Sequence, residues 1–492
     1  MWRGHTPGAY GYDGYNARPM PAAVSEDPVP TFRSHLTLAL CTVLHAFTHA
    51  YGTILVPLYL LIVADLHLGG VKAASLLVTV YGLVYCLVSY AAGVLADRAD
   101  RRLLLGVGLL GNAAAIVLMG VTRDYPMLLT LAVVAGLFGA LFHPCANALV
   151  SAHYPRSPGM AIGLLSVGAG VGFFLGPQYA GWRAEAAHWQ LGVLSPADWQ
   201  RPLLEAGAVG LAFSLVFLAV AKEAEPRAAA GGRRRELRVR GAASSNGDGH
   251  VGSNGDGHVE GPVRAPAAAV KRSSVPLGPF VRRRMLAVAG TLMCRDFGGV
   301  ASLTLASIYL QKAHGMSTKQ TGFIVGAMML IGVIVNPLCV WISPGRRRLP
   351  VLVAVLAASA AVVVTVPFWG ARMVLPVLCA FQACHLGSYA VSEAAMLERV
   401  DPAVRGRVVG MFLSVAGTFA STAPWVMGFW TDALGDAAGR PGAYYGPFGL
   451  VGGMVLLATL SAPMIARLGA PSDADPIRPM TEATPATMEP VG

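Results

Sequence analysis

The chain has 492 residues, of which 54% are hydrophobic and only 13% are charged. About a quarter of the residues of a soluble domain are charged, so this composition excludes a soluble globular protein. The net charge of +11 does not indicate a nucleic-acid partner, because the basic residues lie between apolar stretches, as they do in the loops of membrane proteins.

Twelve apolar stretches are long enough to cross a membrane, which takes about 20 residues in a helix. Barrel strands would alternate polar and apolar residues, whereas these stretches are apolar throughout, so we predict an all-α integral membrane protein. Residues 1–34 lack the apolar core of a cleavable signal, so the first stretch is expected to stay in the membrane. The predicted spans are 35–63, 72–96, 103–122, 126–150, 158–181, 203–222, 284–311, 318–342, 349–369, 372–397, 405–429 and 446–468.

A polar segment separates the first six spans from the last six. It contains "GGRRRELRVRG" and two copies of "SNGDGHV", and such a composition favours disorder. A solvated tether is the preferred interpretation, with weak metal binding by its His and Asp as the alternative. The predicted organisation is a disordered tail, a six-helix bundle, a basic linker, a second six-helix bundle and a second disordered tail, at 1–34, 35–222, 223–283, 284–468 and 469–492.

Lys and Arg are concentrated in the segments that share a side with the two termini. By the positive-inside rule we predict that both termini and the linker are cytoplasmic, in an inner or plasma membrane. The basic linker is also suited to contact anionic lipid headgroups.

The two groups of six spans carry similar features. Gly163 and Pro177 recur 247 positions later as Gly410 and Pro424, and "LSV" follows the glycine closely both times. This spacing predicts a duplicated bundle, and transporters built from repeats bind substrate near the midplane, between the repeats.

The turn between spans 2 and 3 concentrates charge in the stretch "GVLADRADRR". It resembles the signature of the major facilitator superfamily at this position, with Asp100 in place of the second glycine. The resemblance implies an electrostatic latch that locks the outward-open state, consistent with a carboxylate close to arginines and a helix end. The alternative is a solvated turn that only sets orientation. The gating candidates are Gly93, Asp97, Arg98, Arg101 and Arg102.

The matching loop of the second half reads "WISPGRRRLP" (341–350) and lacks the aspartate, so its latch is expected to be weaker. On span 5, the stretch "GFFLGPQYAG" resembles the antiporter motif of the superfamily, with Ala180 in place of one glycine. Close helix packing, which glycines at i and i+4 allow, is the alternative interpretation. The candidates of this motif are Gly172, Gly176, Pro177 and Gly181.

Spans 1 and 4 resemble the fosmidomycin-resistance branch of that superfamily. Span 4 contains "LFHP" and span 1 contains "LHAFTH". The sequence departs from the branch at Cys145, where an acid is typical, and at Thr48 and His49, where the branch has Asn-Asp. Because both departures remove carboxylates, the proton coupling of that branch does not carry over directly.

Ionisable residues inside a membrane are costly and are usually functional or paired. In the superfamily, spans 1, 4, 7 and 10 line the central cavity, and these are the spans that carry the intramembrane ionisable residues here. The cavity and proton-coupling candidates are His45, His49, His143, Asp296, His385 and Glu393, and the substrate-binding candidates are Arg295, Tyr51 and Gln382.

Our hypothesis is that Asp296, His49 and His143 handle protons, since histidine titrates near neutrality, while Arg295 contacts substrate. Neutral packing histidines are the alternative. A three-histidine metal site is a further alternative, but the spacing fixes no third ligand, so neither a metal nor a cofactor is predicted.

The sequence therefore predicts a monomeric secondary transporter that exports a small organic solute or drug in exchange for protons, by alternating access. The alternatives are uptake or facilitated passage of a small anion or metabolite, and a non-transporting receptor or scaffold that uses the linker. Nucleic acid is not an expected partner. An enzyme is not expected either, because no nucleophile elbow, P-loop or paired-carboxylate motif is present.

Overall fold

The computed structural model describes residues 30–96, 98–186, 196–222, 279–400 and 405–468. Within these ranges twelve helices are long and apolar enough to cross a membrane, as the sequence predicts. Spans 1 to 12 comprise, in order, Phe32–Thr53 with Tyr59–Asp65, Val71–Ala96, Arg101–Met119, Tyr125–Gly139 with Phe142–His153, Pro158–Glu185, Gln200–Val220, Pro279–Lys312, Thr318–Ile342, Arg348–Val363, Ala371–Leu397, Arg405–Ala420 with Ala423–Ala433, and Tyr445–Leu457 with Ser461–Ala466.

Two helices begin inside segments that the sequence assigned to a tail and to the linker. Span 1 starts at Phe32, because Thr31 and Ser34 form a capping box that satisfies the first backbone N–H groups. Span 7 starts at Pro279, four residues before the predicted end of the linker. The remainder of the predicted linker, most of the first tail, the whole second tail and Asp97 lie outside the described residues.

Prolines explain why several spans consist of two helices. A proline lacks the N–H that would bond to the carbonyl four residues earlier, and its ring clashes with that carbonyl. The first helices of spans 1 and 11 end four residues before Pro57 and Pro424, respectively. The first helix of span 4 ends five residues before Pro144. Span 5 continues through Pro177 without a break.

Because an even number of spans crosses the membrane, both described ends of the chain lie on the same side of the bundle. We call this side the terminal face; it includes the turn at 98–100. The opposite side, which includes the turn at 313–317, is the far face. Spans 1–6 form the first half and spans 7–12 the second half.

The apolar core joins the two halves near the far face. Buried residues of span 1, such as Leu55, share one cluster with Ile308 of span 7 and Val325 of span 8. Towards the terminal face, the buried clusters each belong to one half: Leu149 lies in a cluster of the first half and Leu352 in one of the second. The halves are therefore packed together at one end only.

Candidate functional site

Spans 2 and 11 are joined at the far face by a carboxylate of the second half. Asp432, near the end of span 11, accepts hydrogen bonds from the backbone N–H groups of Val71, at 2.8 Å, and Lys72, at 2.9 Å. These N–H groups open span 2 and have no partner within their own helix. Asp432 thus caps the positive end of a helix in the other half, an arrangement that stabilises a negative charge.

Spans 5 and 8 are joined in the same way, with the roles of the halves exchanged. Glu185, at the end of span 5, accepts a hydrogen bond of 2.8 Å from the backbone N–H of Lys319, near the start of span 8. Glu185 and Asp432 are 247 positions apart, and so are Lys72 and Lys319. The two caps are therefore repeat equivalents, one on each seam between the halves.

Spans 1 and 7 form the third contact between the halves. Ser307 donates a hydrogen bond of 2.7 Å to the carbonyl of Val56, and Gln311 donates one of 3.2 Å to the carbonyl of Pro57. Both acceptors lie in the turn that Pro57 creates in span 1, where the break frees carbonyl groups.

At the terminal face, the two seams are open among the described residues. A Cβ added at Gly163 of span 5 or at Gly410 of span 11 would meet no atom within 4 Å. In contrast, a Cβ at Gly326, further towards the far face, would lie 2.5 Å from the carbonyl oxygen of Phe174 in the other half. The space between the halves is thus closed at the far face and opens towards the terminal face.

Three histidines meet in the middle of the first half. His45 and His49 are four residues apart on one face of span 1, and His143 is the second residue of the second helix of span 4, directly before Pro144. One ring nitrogen from each lies within 4.8 Å of those of the other two. The Nε2 atoms of His45 and His49 are 3.0 Å apart, and His45 Nδ1 lies 2.7 Å from the Leu165 carbonyl.

Aromatic rings surround this cluster. Phe142 stacks on His45 with ring centroids 4.6 Å apart, and Phe173 of span 5 lies 4.4 Å from His49. His45 is buried, while His49 and His143 are half-buried. The sequence spacing placed only His45 and His49 together, on one helix, and the fold brings His143 to them.

The only charged pair deep in the described spans lies in the middle of span 7. Arg295 binds the carboxylate of its neighbour Asp296, with Nε 2.8 Å and a terminal nitrogen 2.7 Å from Oδ1. Its guanidinium also donates to Ser392 Oγ at 2.6 Å and stacks over Tyr389 at 3.7 Å. The pair is buried, and the two charges compensate each other, as such groups require in a membrane.

Tyr51 and Gln382 do not gather around the histidine cluster or the charged pair. Tyr51 donates to the carbonyl of Ala206 at 3.1 Å, so it packs against span 6. Gln382 lies against Met329 of span 8, with a nitrogen–sulfur distance of 3.7 Å. Glu393 is exposed, closer to the terminal face than Arg295.

His385 is fully buried between spans 7 and 10. A Cβ at Gly299 of span 7 would lie 2.5 Å from its Nε2 atom, which shows how closely the two helices approach. Neither ring nitrogen has a hydrogen-bond partner among the described residues, so this histidine is packed by its neighbours in the conformation described.

The charged turn between spans 2 and 3 binds helix ends within the first half. Arg101 donates to the carbonyl of Ala96 at 3.2 Å, and Arg102 donates to the carbonyl of Leu218 on span 6. Cations near helix C-termini are favourable. Arg98 is exposed, and Asp97, the proposed carboxylate of the latch, lies outside the described residues. Gly93 faces Pro144 of span 4, 3.9 Å from the position of a Cβ.

The same local arrangement recurs in the second half. Arg348, 247 positions after Arg101, donates to the carbonyl of Ser343 at 3.0 Å and pairs with Glu398 at 2.5 Å. The second loop, which lacks the aspartate, is therefore held by an acid from the end of span 10.

The glycines of span 5 permit close packing on both sides of the helix. Added Cβ atoms at Gly168 and Gly172 would meet backbone carbonyls of span 1, and one at Gly176 would lie 2.8 Å from the Ala50 oxygen. Further along, Gly181 faces Thr318 of span 8. The carbonyl of Pro177 faces span 8 as well, against Gly322. The motif thus lies where span 5 contacts both halves.

Sequence reasoning missed three acids that organise helix ends. Asp100 caps span 3 through the N–H of Leu103 at 2.8 Å, a role for which an aspartate before an apolar helix is the usual signal. Glu185 and Asp432 would have emerged if the 247-residue spacing had been extended to the ends of spans 5 and 11.

Comparisons with known proteins agree with this architecture. The sequence model described as Major Facilitator Superfamily matches residues 38–387, which is well over half of the chain. Similar curated proteins include the multidrug resistance protein MdtG of Dickeya zeae, 35% identical over 144 residues, which cover 28% of this chain and 35% of that protein. MdtG of Klebsiella pneumoniae is 41% identical over 100 residues, or 20% and 24% of the two chains. The chain thus aligns with about a third or less of each relative.

Solved structures with the same fold include a bacterial homologue of the human lysosomal transporter Spinster, in an inward-facing and occupied conformation. It has a TM-score of 0.68 and 16% identity, and the match covers 90% of this chain and 97% of that one. The D-xylose–proton symporter has a TM-score of 0.61 and 13% identity, with coverage of 88% and 97%. With its family match and its twelve spans, the chain belongs to the Major Facilitator Superfamily and is a multi-pass membrane protein.

Proposed function

We propose that this protein exports a small organic solute in exchange for protons, by alternating access between its two halves. The observation that carries the proposal is the asymmetry of the contacts between the halves. Hydrogen bonds join them near the far face, while the seams at the terminal face are open. Seams that are open at one side and breakable polar contacts at the other are what a rocking motion of two halves requires.

The charge distribution supports one orientation in the membrane. Lys and Arg accumulate on the terminal face, so this face is cytoplasmic by the positive-inside rule. In that orientation the conformation described opens inwards. Its charged turn, from Gly93 to Arg102, would re-form contacts with the second half when the terminal face closes.

The carboxylate proposed to carry the proton is Asp296. In the conformation described it is paired with Arg295 and lies at the middle of span 7. The other titratable groups near the carboxylate are Tyr389 on span 10 and Cys86 on span 2. On the guanidinium side, the neighbouring groups are His385 and Glu393, both on span 10. Protonation of Asp296 would release Arg295 to contact substrate, which links the two events electrostatically.

The substrate class and direction are suggested by the relatives named as multidrug resistance proteins. A drug-sized apolar or amphipathic solute also suits the aromatic lining near the histidine cluster, where Phe142 and Phe173 lie. A free anion is less well matched to the conformation described, because Arg295 is already compensated by Asp296.

The test uses everted membrane vesicles that contain the full chain, with an imposed pH gradient and a panel of fluorescent drugs and organic solutes. We expect gradient-driven accumulation of at least one solute inside the vesicles. Accumulation only in right-side-out vesicles would favour uptake, and no transport of any solute by a folded protein would favour a receptor or scaffold.

The role of Asp296 is tested with D296N in proteoliposomes. We expect loss of transport driven by the pH gradient, while exchange of labelled for unlabelled solute without a gradient persists. The matched control is D436N, which removes an exposed carboxylate of the far face. Gradient-driven transport by D296N at the control rate would contradict the assignment.

A further inference from the structure

The histidine cluster has the geometry of a metal site. A metal ion held tetrahedrally by nitrogens at 2.0–2.1 Å places neighbouring nitrogens about 3.3 Å apart. The Nε2 atoms of His45 and His49 are 3.0 Å apart. The available nitrogen of His143 lies within 4.8 Å of both, so a change of side-chain torsion brings all three to one ion.

A hydrogen bond to the backbone leaves a nitrogen lone pair of His45 available to a metal ion. Neutral imidazole has one N–H, and the Nδ1–H of His45 donates to the carbonyl of Leu165 at 2.7 Å. Its Nε2 therefore carries a lone pair that points at His49. A backbone carbonyl on the second ring nitrogen is the usual way in which a protein orients a metal-binding histidine.

His143 supplies an independent observation. Among the described residues, no protein atom makes a hydrogen bond with either of its ring nitrogens, although its ring lies 5.1 Å from that of His45 and 5.5 Å from that of His49, between centroids. Unlike the fully buried His385, His143 is half-buried, and one of its ring nitrogens lies within 4.8 Å of a ring nitrogen of each of the other two histidines. His143 has a free nitrogen directed to the same small space as the other two.

The ligand set selects the kind of ion. Three imidazole nitrogens without a carboxylate suit Zn²⁺, Co²⁺, Ni²⁺ or Cu²⁺, whereas Mg²⁺ and Ca²⁺ prefer oxygen. Three protein ligands also leave one position for water or a substrate atom. Because His49 and His143 are half-buried, that position is accessible from the space beside the cluster.

We propose that His45, His49 and His143 bind one first-row divalent transition-metal ion, with Zn²⁺ as the reference ion. The site lies within the first half, on spans 1 and 4, and is separate from the charged pair of span 7. It goes beyond the proposed proton-coupled export, since metal binding is measured without transport.

The experiment uses the full chain, purified in detergent without a polyhistidine tag and stripped of metal with a chelator. Zn²⁺ is titrated against a fluorescent competitor, and Co²⁺ is added separately to record the visible absorption bands of the bound ion. We expect one Zn²⁺ per chain, cobalt bands of tetrahedral intensity that Zn²⁺ abolishes, and no competition by Mg²⁺.

The variant H143N is expected to bind Zn²⁺ at least roughly 100-fold more weakly, because even the loss of an outer-shell partner costs 10–100-fold. Two controls address other donors: C145A removes the thiol next to the site, and H250A/H258A removes the histidines of the linker repeat. Both are expected to bind like the parent. The cobalt spectrum of the unmodified chain keeps the test valid if H143N folds poorly.

Three results would overturn the proposal. Zn²⁺ affinity of folded H143N equal to that of the parent would exclude His143 as a ligand. Loss of binding in H250A/H258A would move the site to the linker. Octahedral cobalt bands, or equal competition by Mg²⁺, would show an oxygen site elsewhere.

Discussion

The carboxylate caps at the far face give the sharpest test of how the two halves are held together. Asp432 accepts two hydrogen bonds from the first turn of span 2. The variant D432N keeps one acceptor oxygen but loses the negative charge and the second acceptor. Because this contact joins the two halves, it exists only while the far face is closed, so its loss shifts the equilibrium towards the far-face-open state.

The magnitude follows from the two effects that are removed. Loss of an N-terminal cap costs about 1 kcal/mol, and loss of a charge at a helix N-terminus costs about 0.5 kcal/mol. Together they correspond to roughly a tenfold shift in the closed-to-open ratio. Glu185 lies on the other seam, so the double variant E185Q/D432N is expected to combine both effects almost additively.

The distance between two spin labels is measured by double electron–electron resonance spectroscopy in lipid nanodiscs. Spin labels are placed at Met127 and Met373, which are exposed at the starts of spans 4 and 10 in opposite halves, after replacement of the seven cysteines. D432N is expected to increase the fraction of long distances. The increase should shrink at high salt, where charge effects are screened.

The control is D436N, which removes an equal charge from an exposed position four residues away. It is expected to leave the distance distribution of the parent unchanged. Identical distributions for D432N and D436N would refute the reasoning, because the cap would then contribute nothing specific to closure.

Three sets of variants test packing and burial by thermal unfolding in detergent. G172V is expected to lower the free energy of unfolding by about 2 kcal/mol or more, because any side chain at this position meets a carbonyl of span 1. G163V, at an open position, is expected to be as stable as the parent. Equal losses of stability in the two variants would contradict this. D296L is expected to lower the free energy of unfolding by about 3–5 kcal/mol, because Arg295 is left buried without its carboxylate partner. The double variant R295M/D296L is expected to recover most of this stability. Additive losses from the two substitutions would count against a compensated pair. H385M is expected to stay within about 1 kcal/mol of the parent, since neither ring nitrogen has a protein partner among the described residues; a larger loss would reveal a bonded water.

The positions of the spans were predictable because hydropathy is a local property. Lipid cannot hydrogen-bond the backbone, so every stretch that enters it must be helical and apolar, whatever its neighbours are. The breaks at Pro57, Pro144 and Pro424 agree with the local chemistry of proline, but the sequence alone does not determine them, because span 5 continues through Pro177. The predicted spans treated each of these helices as continuous.

Part of the candidate site was also local. The i, i+4 pair of His45 and His49 follows from helical periodicity, and the adjacent Arg295 and Asp296 are close in any conformation. The partners of Arg295 on span 10 were not predictable, because they depend on how two helices are rotated about their axes.

By itself, the sequence determined that this protein is a membrane-embedded bundle of twelve helices with a repeat of 247 residues, because lipid solvation and duplication leave their mark on every segment separately. Only the tertiary structure decided that His143 meets His45 and His49, that Tyr51 turns to span 6, and that Asp432 caps a helix 360 residues earlier in the chain. These contacts depend on the rotation and register of helices against each other, which are set by the packing of the whole bundle.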